Sequence, residues 1–118
     1  MIFLAVFLGV IDPACTQEKI CQPNYTASVR PSTRYTNKMK ELQMENLHLL
    51  NNPALYEEDH FIPLELCGHP TDPKNLWPQP WSQAREKDKD ETRLHRAVCA
   101  HRISLKEAQQ EIREKWAQ

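Results

Sequence analysis

Residues 56–81, YEEDHFIPLELCGHPTDPKNLWPQPW, constrain the fold more than any other part of the chain. Tyr56–Leu66 is rich in strand formers, and Pro63 inside it restricts it to an edge strand or a bend. Residues 67–74 carry glycine and prolines and read as a loop. The chain returns on Asn75–Trp81, a short second strand that Pro78 and Pro80 soon end. Two short strands joined by a tight loop form a hairpin, and a hairpin this small needs a helix against one face to persist in water.

The flanks supply helices. Residues 36–50 predict a short helix, with Thr36 as cap, Met39, Leu42 and Leu49 near helical spacing, and Asn51-Asn52-Pro53 as the stop. Residues 82–86 read as a link into a helix over 87–101. Ser104 and Glu107 have the spacing of a capping box, and Leu105, Ala108, Ile112 and Trp116 form the core stripe of a last helix. Residues 15–35 hold few apolar side chains and read as an extended arm pinned by cysteines. The expected class is α+β, a ββα core with flanking N- and C-terminal helices. Its divisions are a signal-like apolar segment at 1–14, the arm at 15–35 and the main domain at 36–118. With 118 residues and 40% hydrophobic content, the chain forms one domain with a modest core. Only two glycines occur, and neither GxxxxGK nor GxGxxG is present, which excludes P-loop and dinucleotide-binding readings.

The chemistry concentrates at Asp59-His60 and Asn75. Hydrolysis of a phosphodiester near neutral pH needs a base for water, a cation for the developing charge, and a frame that holds both. His60 suits the base, because a neutral imidazole is available near pH 7. Neighbours on a regular strand face opposite ways, so Asp59 and His60 reach one site only where the strand ends or bends. Asn75 both donates and accepts, so it can fix a loop or a ring orientation. On the following helix Asp88, Glu91 and His95 share a face with Leu94 and Val98, and an inward charge there needs a partner. The alternatives are a half-buried structural His60, a turn residue at Asn75, and a Glu91 that merely pairs with Lys87 or nearby arginines.

Over roughly residues 21–116 this arrangement resembles the HNH nuclease family, the ββα-metal fold, and particularly a bacterial branch with a DH-IPLEL-G-NLWPQ core. The resemblance implies a divalent-metal-dependent endonuclease acting on DNA. His60 would be its general base and Asp59 a metal ligand, while Asn75 would tie the loop and hold the ring. Glu91 and His95 are the candidates for the remaining helix ligand, His95 preferred. Mg2+ is the expected ion, with Mn2+ or Zn2+ as alternatives. Arg93 and Arg96 are expected to contact substrate phosphates, and Arg30, Arg34, Lys38 and Lys40 on the arm and first helix offer further grips. Trp77 and Trp81 read as core or lid aromatics. The chain departs from the family at Cys67-Gly68, where a Gly-Gly pair is typical.

Cys15, Cys21, Cys67 and Cys99 allow two disulfides in an oxidising compartment. A bridge from Cys21 or Cys67 to Cys99 is one expectation. Zinc on Cys67, His69, His95 and Cys99 is the other. The opening run MIFLAVFLGV is too short to span a bilayer and resembles the apolar part of a signal peptide without a basic start. It favours a secreted or periplasmic location over a cytoplasmic one, against rival readings as an N-terminal strand or a misassigned start. The net charge of −1 does not mark a nucleic-acid binder, but an acidic middle lies between basic flanks. Two other functions stay open: a non-catalytic binding module on the same core, and a disulfide- or zinc-stapled secreted interaction domain.

Overall fold

A computed structural model describes residues 9–117. Strand β1 (Tyr56–His60) pairs antiparallel with β2 (Leu76–Pro80), with Glu57 opposite Gln79, Asp59 opposite Trp77 and His60 opposite Leu76. The first strand is shorter than the apolar run predicts. It stops at His60 because Phe61–Leu66 leave the sheet and sink into the core, where Phe61, Ile62 and Leu66 are fully buried. The connecting loop contains short 3-10 turns at Leu64–Leu66 and Pro73–Asn75. Between them Cys67 adopts a left-handed backbone, with φ of 67°. Gly68 is required for space, since a Cβ there would lie 1.7 Å from the Ile62 carbonyl oxygen.

Five helices among the described residues enclose the hairpin: α1 (Gln17–Ile20), α2 (Tyr25–Val29), α3 (Thr33–Asn46), α4 (Trp81–Cys99) and α5 (Leu105–Trp116). The segment 15–35 is therefore not an extended arm. Thr16 caps α1 by accepting the Lys19 N–H, and Ile20 enters the core at 2% exposure. Helix α3 begins three residues before Thr36, because Ser32 accepts the Tyr35 N–H and is the true cap. Helix α4 starts directly after Pro80, so residues 82–86 are its first turns rather than a link. Its buried positions Ala84, Lys87, Glu91, Leu94 and Val98 recur at helical spacing.

The predicted capping box on Ser104 and Glu107 is formed in both directions. It starts α5, which packs on α4 with Ala108 and Ile112 in the same apolar cluster as Leu94 and Val98. The two helices are also tied by Trp116 Nε1 donating to Asp90 and by Lys115 paired with Asp90. Phe61 and Trp77 meet edge to face at 5.9 Å in the centre of the core.

Two disulfides fasten the N-terminal part to this body: Cys15–Cys67 and Cys21–Cys99, with Cα separations of 5.4 and 5.7 Å. The expected bridge between Cys21 and Cys99 is one of them. The zinc alternative is not assembled, because Cys67 and Cys99 are each bonded to another cysteine. Two such bridges are compatible with an extracellular location. Most of the signal-like run, residues 1–8, lies outside the described residues. Residues 9–12 belong to the folded body: Ile11 bridges Gly68, the His69 N–H donates to the Val10 carbonyl, and the Asp12 N–H donates to the Cys67 carbonyl. Among the described residues, no helix is long and apolar enough to cross a membrane.

Candidate metal and hydrolytic site

Every residue of β1, and none of β2, lines a cleft of about 680 Å³. Asp88, Glu91 and Thr92 of α4 line it too, as do Thr26, Arg30, Thr33, Thr36 and Lys40 from α2, α3 and the turn between them. Residues from both faces of β1 therefore contribute to the cleft, Asp59 and His60 among them. This resolves the strand-alternation problem for Asp59 and His60.

His60 is 8% exposed, and its Nε2 lies 2.8 Å from the Pro70 carbonyl oxygen. A carbonyl only accepts, so Nε2 carries the proton and the neutral ring keeps its lone pair on Nδ1. Burial lowers the His60 pKa, offset in part by the Pro70 carbonyl and Asp59. The ring is accordingly held neutral, in the tautomer a base needs.

Asn75 is fully buried and does not touch that ring. Its Oδ1 accepts from the N–H groups of Ile62 and Val10, and its Nδ2 donates to the carbonyls of Ile62 and His69. Three of these four bonds go to the loop that leaves His60 and returns to β2, and the fourth ties in the N-terminal segment at Val10. Asn75 therefore positions; it does not act on a reacting atom.

Glu57, Asp59 and Asp88 bring carboxylate oxygens within 4.8 Å of one another, a grouping that can hold a metal ion. Their electrostatics fit a cation: burial, then the charges of Asp59 and Asp88, raise Glu57 to about 7. Burial and Asp59 likewise raise Asp88. Crowded carboxyls with raised pKa values are what a divalent ion would relieve. Beside them, burial raises Glu58 to about 8 against the pull of Lys40, and both Glu58 oxygens are shielded without a hydrogen-bond partner. Burial also raises Glu65.

Of the sequence candidates, Asp59, His60 and Glu91 gather at the cleft, but Glu91 is not placed with the metal-competent group. It bonds Lys87, whose ammonium also bonds Asp59. Burial pushes Glu91 up to about 8, with Lys87 pulling the other way. Burial works against the Lys87 ammonium too, yet Asp59 and Glu91 outweigh it and raise its pKa. His95 is elsewhere: its Nε2 donates to the Ile20 carbonyl at 2.8 Å, and Nδ1 lies 3.9 Å from Glu65. It fastens α4 to α1 and is not gathered as a metal ligand. Arg93 is paired with Glu111 and Asp90 on the α5 side, and neither Arg93 nor the exposed Arg96 lines the cleft. Arg30 and Lys40, from the arm and first long helix, do line it. Lys40 is committed to the carbonyls of Pro53 and Tyr56.

Glu57 and Asp88 are the site residues that pattern reasoning missed as ligands, while the Glu91–Lys87 pair is the alternative reading of Glu91 that the structure forms. Asp88 had a usable signal, one turn ahead of Glu91 on the same helical face, and Glu57 another, two positions before Asp59 on a strand. Compared with family models, curated proteins and solved structures, the chain matches none.

Proposed function

We propose that the protein is a small metal-dependent phosphodiesterase of the HNH endonuclease type, on a ββα core formed by β1, β2 and α4, with DNA as substrate. One observation carries the proposal: a buried histidine in a fixed tautomer shares a cleft with three carboxylates that can hold a cation. Glu57, Asp59 and Asp88 would hold the ion, which supplies positive charge for the oxygens of the cleaving phosphate. His60 takes the proton of the attacking water at Nδ1, while its Nε2–H stays on Pro70. Asn75 keeps the loop, and through it the ring, in place. Arg30 offers a guanidinium fork to a neighbouring phosphate. Two disulfides suit such an enzyme in an oxidising compartment.

A second reading has its own support. The ammonium of Lys87 already bonds Asp59 and Glu91, which favours a cleft that binds a ligand without cleaving it. Plasmid incubated with Mg2+, Mn2+ or EDTA separates the two. Hydrolysis predicts nicking that needs the ion and falls on the order of 10²–10⁴-fold in His60→Ala. Nicking that survives EDTA removes the metal from the reaction, and nicking that is equal in the variant removes His60 as its base. DNA retention without nicking supports the binding module.

A further inference from the structure

Inside the cleft wall, Lys87 Nζ is ringed by three oxygens: Asp59 Oδ2 at 2.8 Å, Glu91 Oε2 at 2.5 Å and the His60 carbonyl at 2.9 Å. Lys87 is 0% exposed, so no water completes this shell from bulk solvent. An ammonium has three N–H donors, and all three are used. Carboxylate and carbonyl oxygens are also the ligands that hard divalent cations select. The charged end of this side chain thus sits in a ring of oxygens suited to a metal ion. Asp59 belongs both to this ring and to the group it forms with Glu57 and Asp88.

We infer that Lys87 is the resident cation of an inner position, and that it confines an added divalent ion to the outer group of Glu57, Asp59 and Asp88. The inference rests on reading that outer group as a metal site. It follows from Coulomb repulsion that an ammonium on one Asp59 oxygen weakens binding of a second cation to the same carboxylate. Lys87 also joins the Asp59 side chain to the His60 carbonyl, so it fixes the end of β1 where base and ligand meet. It is a positioning residue that sets both the number and the affinity of bound ions.

Mn2+ titration followed by electron paramagnetic resonance and calorimetry tests this on the intact oxidised protein. Lys87→Met removes the ammonium and keeps the stem. Lys87→Gln, which retains a donor for Asp59 without the charge, serves if Met prevents folding, with circular dichroism as the check. Expected is one Mn2+ on the wild type, and on the variant either a second Mn2+ or roughly tenfold tighter binding of the first. A wild type that binds none beside a variant that binds Mn2+ keeps the inner position and removes the outer metal site. Equal stoichiometry and affinity in both overturns the role of Lys87 and leaves the outer site standing. No Mn2+ on either protein overturns both.

Discussion

Asn75 shows how much one buried amide can organise. It satisfies four backbone groups of the loop and the N-terminal segment, and each would be orphaned by truncation. Leaving a buried backbone group unpaired costs about 1–3 kcal/mol, so Asn75→Ala should lose about 3–5 kcal/mol of stability in urea unfolding as well as activity. A loss below about 1 kcal/mol would mean that water or relaxation replaces those bonds. The sequence led to an Asn that ties the loop and orients the histidine ring; the structure shows the first of these, with no bond to the ring, so fold and chemistry should fail together. Asp59, His60 and Asn75 were legible because their residue types and strand-loop-strand setting restrict what they can do. His95 was not, since a histidine on a helix face records no partner. Its partner, the Ile20 carbonyl, lies 75 positions away in the chain. For Lys87 the Glu91 partner one turn on was legible, whereas Asp59, 28 positions away, was not: only tertiary packing reveals the second carboxylate that makes burial tolerable.

At the scale of elements, the hairpin and the two C-terminal helices were readable from strand formers, prolines and a capping box. The arm was not. Pattern reasoning assigns few-apolar segments to extended chain, yet α1 persists here as only four residues, too short to be stable alone. It is held by its Thr16 cap, by Ile20 in the core, and by the Cys21–Cys99 bridge that joins it to the end of α4. That bridge closes a sequence separation of 78 residues. By the loop-entropy relation, Cys21→Ser with Cys99→Ser should cost about 4.5 kcal/mol. It should also loosen α1 from α4, exposing the amides of both to hydrogen exchange while those of β1 and β2 stay protected. If β1 exchanges as fast as α1, the arm is integral to the whole fold rather than a fastened flank. The left-handed Cys67 belongs to the same lesson: the second bridge, to Cys15, occupies the position where a glycine would have been conformationally freer.

Across the whole molecule, the cleft concentrates carboxyls that burial keeps harder to ionise than in the unfolded chain, and this links stability to pH and to metal. Glu57 rises to about 7, and Glu58 and Glu91 to about 8, from an ordinary value of 4.5. The groups acting on them are Asp59 on β1, Lys40 on α3, and Lys87 and Asp88 on α4. Where the folded state binds more protons than the unfolded one, stability falls as pH rises. The contribution of these three is therefore full below their ordinary value and is lost as pH climbs through about 7 to 8. His60 has the opposite sign. Its depressed pKa means that the unfolded chain takes up a proton first, so stability falls as pH drops below about 6.5. Three carboxyls outweigh one imidazole, so above about pH 5 the net trend is downward, with Tm declining by roughly 5 °C or more toward pH 8.5. A cation on the outer carboxyl group replaces the missing protons, so Mn2+ should recover much of that decline at high pH and raise Tm little near pH 5.5. Scanning calorimetry at both pH values, with and without Mn2+, measures this directly. A Tm that is flat with pH would show that Glu57, Glu58 and Glu91 do not retain protons in the fold, and an equal Mn2+ effect at both pH values would show that Glu57 does not exchange its proton for an ion.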